Sequence, residues 1–250
     1  MFGHGHHYYL DAFKKLGLEI RSNKINSRKY SANFRYFREI DSHEKAYWLG
    51  FIYADGFISG AQGRKKFGLS LSEKDISQIE KLKKCMESDY PINTYIVRAG
   101  YKPGSRYARL LVESEDMYDD LISHGVVEHK TDILQPPNIK PEYNNSFILG
   151  YFDGDGSIFV SNSRCPFYQI NIVGTDGLLE FIHNDFVANG LVTKNIKIEK
   201  RRDNQTVSYI RYGGNKQVCR IMDYLYTDVD PLLPLERKRQ LYLNCKQRIF

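Results

Sequence analysis

Apolar residues follow two rhythms along this chain, and the rhythms return in the same order. In "FGLSLSEKD", Phe67, Leu69 and Leu71 alternate with Gly68, Ser70 and Ser72. Its later counterpart "YQINIVGTD" alternates Tyr168, Ile170 and Ile172 with Gln169 and Asn171. A period of two predicts a half-buried strand with the first-named residues on the inner face. Each segment runs into a stretch of helical spacing, "ISQIEKLKKCM" in one place and "GLLEFIHNDFV" in the other. Two more strand-like runs follow, "INTYIVRAG" and "YARLLVE" first, then "NIKIEK" and "VSYIRYG". A closing helix is predicted near Asp116 to Ser123 and again near Lys216 to Tyr224. Both series open on a dense apolar run ending in an acidic residue and a glycine: "YWLGFIYADGFISG" from Tyr47 and "FILGYFDGDGSIFVS" from Phe147. The chain therefore reads as an α+β protein in which helix, two strands, helix, two strands, helix is written twice, an internal repeat that fixes the architecture.

The join is "LQPPNIKPEYNN", whose prolines stop helix and sheet alike. This gives three segments: an N-terminal helical extension over 1–40, a first half over 41–140 and a second half over 141–250. Within the extension, "YLDAFKKLG" reads as a short helix stopped by Gly17, and His4, His6 and His7 read as terminal residues rather than a metal site. Asp41 and Glu44 form a capping box that starts the first repeated helix near 42.

The repeated helices carry small residues four positions apart, Gly50 and Ala54 in one copy and Gly150 and Gly154 in the other. That spacing keeps a notch on one face, so the two helices are expected to pack backbone to backbone, anchored to the sheets by Leu49, Ile52, Leu149 and Phe152. Side-by-side helices deliver Asp55 and Asp155 together at one end. Two adjacent carboxylates repel unless a cation lies between them. The helix C-termini add partial negative charge and carbonyl oxygens, including those of Ala54 and Gly154. Such hard oxygen donors suit Mg²⁺, which keeps waters and favours phosphate oxygens, and Mn²⁺ is expected to substitute. Asp153, matched by Tyr53 in the first copy, receives no catalytic role and is expected to face solvent or a neighbouring polar side chain.

Charge adds direction. The chain has 250 residues and a formal net charge of +6, a mild bias toward an anionic partner. From Lys194 to Arg211 six basic residues face two acidic ones. Phosphate contacts are expected from Lys197, Lys200, Arg201 and Arg202. The outward positions Ser70, Ser72, Arg109, Ser161, Gln169, Asn171 and Arg211 would form a band able to read base edges. No apolar run is long enough to span a bilayer, the N-terminus lacks a signal peptide's pattern, and the four cysteines are scattered. An intracellular, cytoplasmic protein with ordinary thiols is expected.

At these residues the chain resembles the LAGLIDADG homing endonuclease family in its single-chain, two-motif form. "WLGFIYADG" and "ILGYFDGDG" match the nine-residue motif in length, in the glycine at the third place and in the closing acid-glycine pair. The resemblance covers about residues 41 to 250 and implies two pseudo-symmetric αββαββα halves forming a saddle-shaped surface on double-stranded DNA. It implies a monomer, encoded by a mobile genetic element, that cuts a long asymmetric target across the minor groove. Asp55 and Asp155 would hold the divalent ions, each serving one strand. It also implies a solvent-positioning polar residue after the second strand of each half, here Glu73 but Gly174, and a lysine near the end of each half, here Lys130 and Lys238. The rival reading is a protein of the same fold that acts as an RNA maturase or binds DNA without cutting.

Overall fold

The computed structural model describes residues 15–16, 29–98, 103–130, 133–195, 197–201 and 204–248. His4, His6, His7 and Arg202 lie outside the described residues, as does the helix expected over "YLDAFKKLG" apart from Lys15 and Leu16. The chain divides into two compact units, Met1–Ser31 and Ala32–Phe250. The expected boundary at 40/41 marks where the duplication begins, but packing begins earlier. Tyr36, Phe37 and Ile40 are buried, Phe37 packs edge-on against Phe67, and Tyr36 donates its hydroxyl to Glu44 at 2.7 Å.

Within the larger unit the predicted order appears twice. The first half runs α1 (His43–Asp55), β1 (Gly56–Ser59), β2 (Lys66–Ser72), α2 (Ile76–Cys85), β3 (Ile92–Ile96), β4 (Arg106–Glu113) and α3 (Glu115–Ser123). The second runs α4 (Asn144–Asp155), β5 (Gly156–Val160), β6 (Tyr168–Gly174), α5 (Asp176–Ala188), β7 (Glu199–Arg201), β8 (Asn204–Gly213) and α6 (Asn215–Leu225). Each half folds one antiparallel four-stranded sheet, in the order β1-β2-β4-β3 or β5-β6-β8-β7. The α+β class with two matched halves is thus the observed architecture. The alternation assigns faces as the pattern requires: Phe67, Leu69, Leu71, Tyr168, Ile170 and Ile172 are buried, while Ser70, Ser72, Gln169 and Asn171 are partly exposed.

Two details depart from expectation. The N-cap of α1 is Ser42, whose hydroxyl accepts from the Lys45 amide at 3.3 Å. Asp41 is drawn instead to the Lys45 ammonium at 2.8 Å, and Glu44 to Tyr36, so the capping box does not form. A further helix, α7 (Glu236–Gln247), follows the second repeat. It was hidden because it is mostly charged and polar and buries only Lys238, Tyr242 and Cys245. The segment leading into α7 crosses to the first half. Gln78 donates to the Leu233 carbonyl at 2.8 Å, Lys81 to that of Pro234 at 2.9 Å, and Arg237 pairs with Asp75 at 3.3 Å. Among the described residues no helix is long and apolar enough to cross a membrane, and all four cysteines are free.

Candidate functional site

The site is built where α1 and α4 end. Their mid-sections touch through glycine: a Cβ on Gly50 would lie 1.9 Å from the Phe147 carbonyl oxygen, and one on Gly150 would lie 1.9 Å from that of Tyr47. Equal reciprocal distances mark a local two-fold relation between the helices. One turn on, a Cβ on Gly154 would meet that of Ala54 at 2.2 Å. Leu49, Ile52, Leu149 and Phe152 are fully buried around this pair.

The final turns bring the two motif acids together. A Cβ on Gly154 would also lie 3.1 Å from Asp55 Oδ2, so that carboxylate leans over the last turn of the partner helix. Burial pushes the Asp55 carboxyl up to about 6, with the Asp155 charge adding to the rise and Lys130 and Lys238 opposing it. Asp155 keeps an edge exposed to solvent. Protein packed around its other sides nevertheless raises its carboxyl, against the charges of the same two lysines.

Both predicted lysines reach this place and share two of three equivalent carbonyl partners. Lys130 Nζ donates to the carbonyls of Ile52, Tyr53 and Ala54 at 2.7, 2.7 and 2.6 Å. Lys238 Nζ donates to those of Phe152, Asp153 and Gly156 at 2.6, 2.7 and 2.6 Å. The cations that the helix C-termini receive are therefore these ammonium groups, which satisfy orphan carbonyls and complement the helix dipoles. Burial holds each lysine down to about 8 against the pull of nearby carboxylates, for Lys130 the two motif acids and for Lys238 first Asp153. An ammonium has three N–H donors. All three are committed here, so what each lysine leaves to the site is its charge.

Asp153 faces a neighbour rather than solvent. It is 1 % exposed, and its Oδ2 accepts from the Tyr47 hydroxyl and the Leu235 amide, both at 2.8 Å. Glu73, directly after β2, forms a two-pronged pair with Arg106, at 2.6 and 3.2 Å. In the second half Gly174 offers no side chain at the matching place.

The proposed base-reading band is partly assembled. In the first sheet Arg109 donates to Ser70 at 2.8 Å and to the Tyr95 hydroxyl at 3.1 Å, with its guanidinium 4.7 Å from the Tyr95 ring centroid. Ser72 lies on the same face, opposite Tyr107. In the second sheet Asn171 and Arg211 are register partners on the outward face, with Gln169 on the same side. Ser161 stands apart, holding the β5–β6 turn by accepting from the Phe167 amide at 3.0 Å. Lys200 pairs with Ser208, which is buried, so alternation turns it away from Arg211 toward Asp176 at 2.8 Å. Lys197 is 85 % exposed and 3.3 Å from Glu199. Arg201 lies in β7. Tyr95 and Tyr107, stacked at 6.0 Å on the first sheet's outward face, were missed by the sequence reading, although the period-two pattern of "INTYI" and "RYARLLVE" could have placed them.

No protein-family model and no curated protein matches the sequence. Solved structures do match the fold. The homing endonuclease I-WcaI bound to its DNA recognition sequence aligns with a TM-score of 0.56 and 16% identity, over 92% of this chain and 96% of that one. The LAGLIDADG homing endonuclease I-LtrWI bound to target DNA gives 0.52 and 13%, over 86% and 91%. The meganuclease I-SmaMI bound to uncleaveable DNA gives 0.52 and 13%, over 80% and 89%. The chain has the fold of the LAGLIDADG homing endonucleases, in the form that carries two motifs on one polypeptide.

Proposed function

We propose that this protein is a site-specific DNA endonuclease that hydrolyses one phosphodiester on each strand of a long duplex, using Mg²⁺ with Mn²⁺ as a substitute. The observation that carries this reading is the convergence of Asp55 and Asp155 at the joined ends of α1 and α4, each helix end capped by a lysine. The DNA-bound proteins that share the fold support it.

The donor set fits a hard cation. Two carboxylates raised by burial gain from a positive charge between them. The Ala54 carbonyl retains one lone pair beyond its bond to Lys130, and neither lysine engages the Gly154 carbonyl. Water and phosphate oxygens would complete the coordination, as Mg²⁺ prefers. A divalent ion bound there would supply Lewis acidity to the scissile phosphate and a more acidic water. The chain's own residues hold and orient. Asp55 and Asp155 offer oxygens, and Lys130 and Lys238 stabilise added negative charge on the phosphate without giving up a proton. In the hydrolysis the water oxygen bonds to phosphorus, the bond to the departing sugar oxygen breaks, the water loses a proton and the sugar oxygen gains one. A monomer suffices, because one chain carries both halves.

The two sheets predict an asymmetric target. Where one offers Ser70, Ser72 and Arg109, the other offers Gln169, Asn171 and Arg211, so hydrogen-bond patterns differ between the two half-sites. Selecting cleaved molecules from a randomised duplex pool in Mg²⁺ should return one non-palindromic consensus. Binding without cutting in either metal would replace the nuclease reading with that of a non-cleaving DNA-binding protein. A consensus whose half-site palindrome is cut equally well would sink the asymmetric readout.

Affinity for that target should fall with salt. Lys197→Ala is expected to weaken binding on all sequences and to flatten the slope of log K against log salt by roughly 1. Lys200 is already engaged by Asp176, so Lys200→Ala should change the slope less. Titrations at several salt concentrations measure it, and an unchanged slope for Lys197 would place it away from phosphates.

A further inference from the structure

Each outward sheet face carries an arginine on its third strand, Arg109 on β4 and Arg211 on β8. The two differ in how they are held. Arg109 Nε donates to the Ser70 hydroxyl at 2.8 Å and its Nη2 to the Tyr95 hydroxyl at 3.1 Å. The guanidinium carbon lies 4.7 Å from the Tyr95 ring centroid and 5.7 Å from that of Phe57. A guanidinium presents five N–H donors in one plane. The bonds to Ser70 and Tyr95 occupy one edge, so the end-on pair, one N–H from each terminal nitrogen, has no acceptor among the described residues. Arg211 is exposed, lies 5.3 Å from the Tyr209 ring centroid and donates to no described residue. Two parallel N–H bonds match the O6 and N7 acceptors that guanine alone presents side by side in the major groove.

Strand pairing sets how far each arginine stands from its motif acid. Gly56 and Gly156 directly follow Asp55 and Asp155. Gly56 pairs with Leu69, and Leu69 with Leu110. Gly156 pairs with Ile172, and Ile172 with Ile210. Leu110 and Ile210 are therefore level with the two glycines. Arg109 lies one row nearer the acid, opposite Ser70, whereas Arg211 lies one row farther out, opposite Asn171 and level with Ser157. Measured from its own acid, Arg211 is thus two rows farther along the sheet, about 7 Å at the antiparallel rise of ~3.4 Å per residue.

We propose that Arg109 and Arg211 are specificity-determining residues that each read one guanine, the guanine of Arg211 lying about two base pairs farther from the centre of the target than that of Arg109, since duplex DNA also rises about 3.4 Å per step. This rests on the DNA endonuclease reading. Ser70, Tyr95 and Phe57 hold the first guanidinium before DNA arrives, so its guanine is the more strictly required. Arg211 is ordered only on contact, which subtracts from its preference.

The test takes the duplex that the full chain selects and cuts in Mg²⁺, replaces each base pair in turn and measures affinity in Ca²⁺. Two guanines at unequal distances from the centre are expected, each replacement weakening binding on the order of 10-fold and the inner one more. Arg109→Met should erase the inner preference and keep the outer, and Arg211→Met should do the reverse. Tyr95→Phe keeps the ring but removes an acceptor of the guanidinium, and should lower the inner preference alone; it decides the matter if Arg109→Met fails to fold in a thermal melt. Guanines at equal distances, an unchanged inner preference in Tyr95→Phe, or a Met variant that weakens every duplex alike while keeping both preferences would each overturn the assignment. A chain that selects no duplex sinks the endonuclease reading and this one with it. A duplex that is selected and cut but lacks the two guanines sinks the arginine assignment alone.

Discussion

Asp55→Asn and Asp155→Asn are each expected to leave target binding intact and to lower double-strand cleavage on the order of 10³-fold, equivalent to ~4 kcal/mol of transition-state stabilisation. An amide keeps the shape of the carboxylate but is a poor ligand for Mg²⁺, so the loss falls on chemistry and spares recognition. The parental site also predicts what happens to stability. Burial and the Asp155 charge hold the Asp55 carboxyl up to about 6, above its value in the unfolded chain. The folded state therefore binds the proton more tightly, and stability is lost as pH rises from the ordinary carboxylate range through about 6. A neutral amide escapes that loss, so Asp55→Asn should melt at or above the parental temperature at neutral pH. Cleavage and binding assays in Mg²⁺ and Ca²⁺, with a thermal melt, measure all three. Full cleavage by either variant would remove the acids from the mechanism.

Among the described glycines, Gly50→Ala or Gly150→Ala should cost the most stability. Each new Cβ would meet a backbone carbonyl oxygen of the partner helix at 1.9 Å, and a backbone atom cannot rotate away as a side-chain tip can. The helices must separate, at or beyond the ~3 kcal/mol upper end of usual overpacking costs. For a chain of this size that lowers Tm by roughly 6–12 °C. Gly63→Ala is a contrast of another kind: nothing lies within 4 Å of its Cβ, and only its positive φ of 70 opposes the change. Calorimetry would compare them, and a Gly50→Ala melt equal to the parental one would refute the close helix contact.

Both predictions rest on positions that could be read directly from the sequence, for a physical reason. Backbone contact this close tolerates only glycine, and paired acids need a matching register, so Gly50, Gly150, Asp55 and Asp155 recur at one spacing. Alternation exposed the strand faces because burial on one side of a sheet imposes a period of two. Other features had no such local imprint. Ser42 and Asp41 are both good caps, and only the nearby Lys45 and Tyr36 decided between them. Helix α7 is stabilised by what it touches rather than by an apolar stripe. The position of Lys200 depends on pairing with Ser208, which no single stretch of sequence contains.

The crossing before α7 decides how the protein can be taken apart. Because Leu233, Pro234 and Arg237 bond to Gln78, Lys81 and Asp75, the tail of the second half completes the outer wall of the first. The Leu235 amide and the Tyr47 hydroxyl meet on one oxygen of Asp153. The proline-rich join is therefore a boundary in the chain but not in the solid. A chimera exchanging one half for a relative's must carry matching partners at 75, 78 and 81, or exchange residues 229–248 separately. The unit that can be exchanged without cutting these bonds is the sheet face rather than the half.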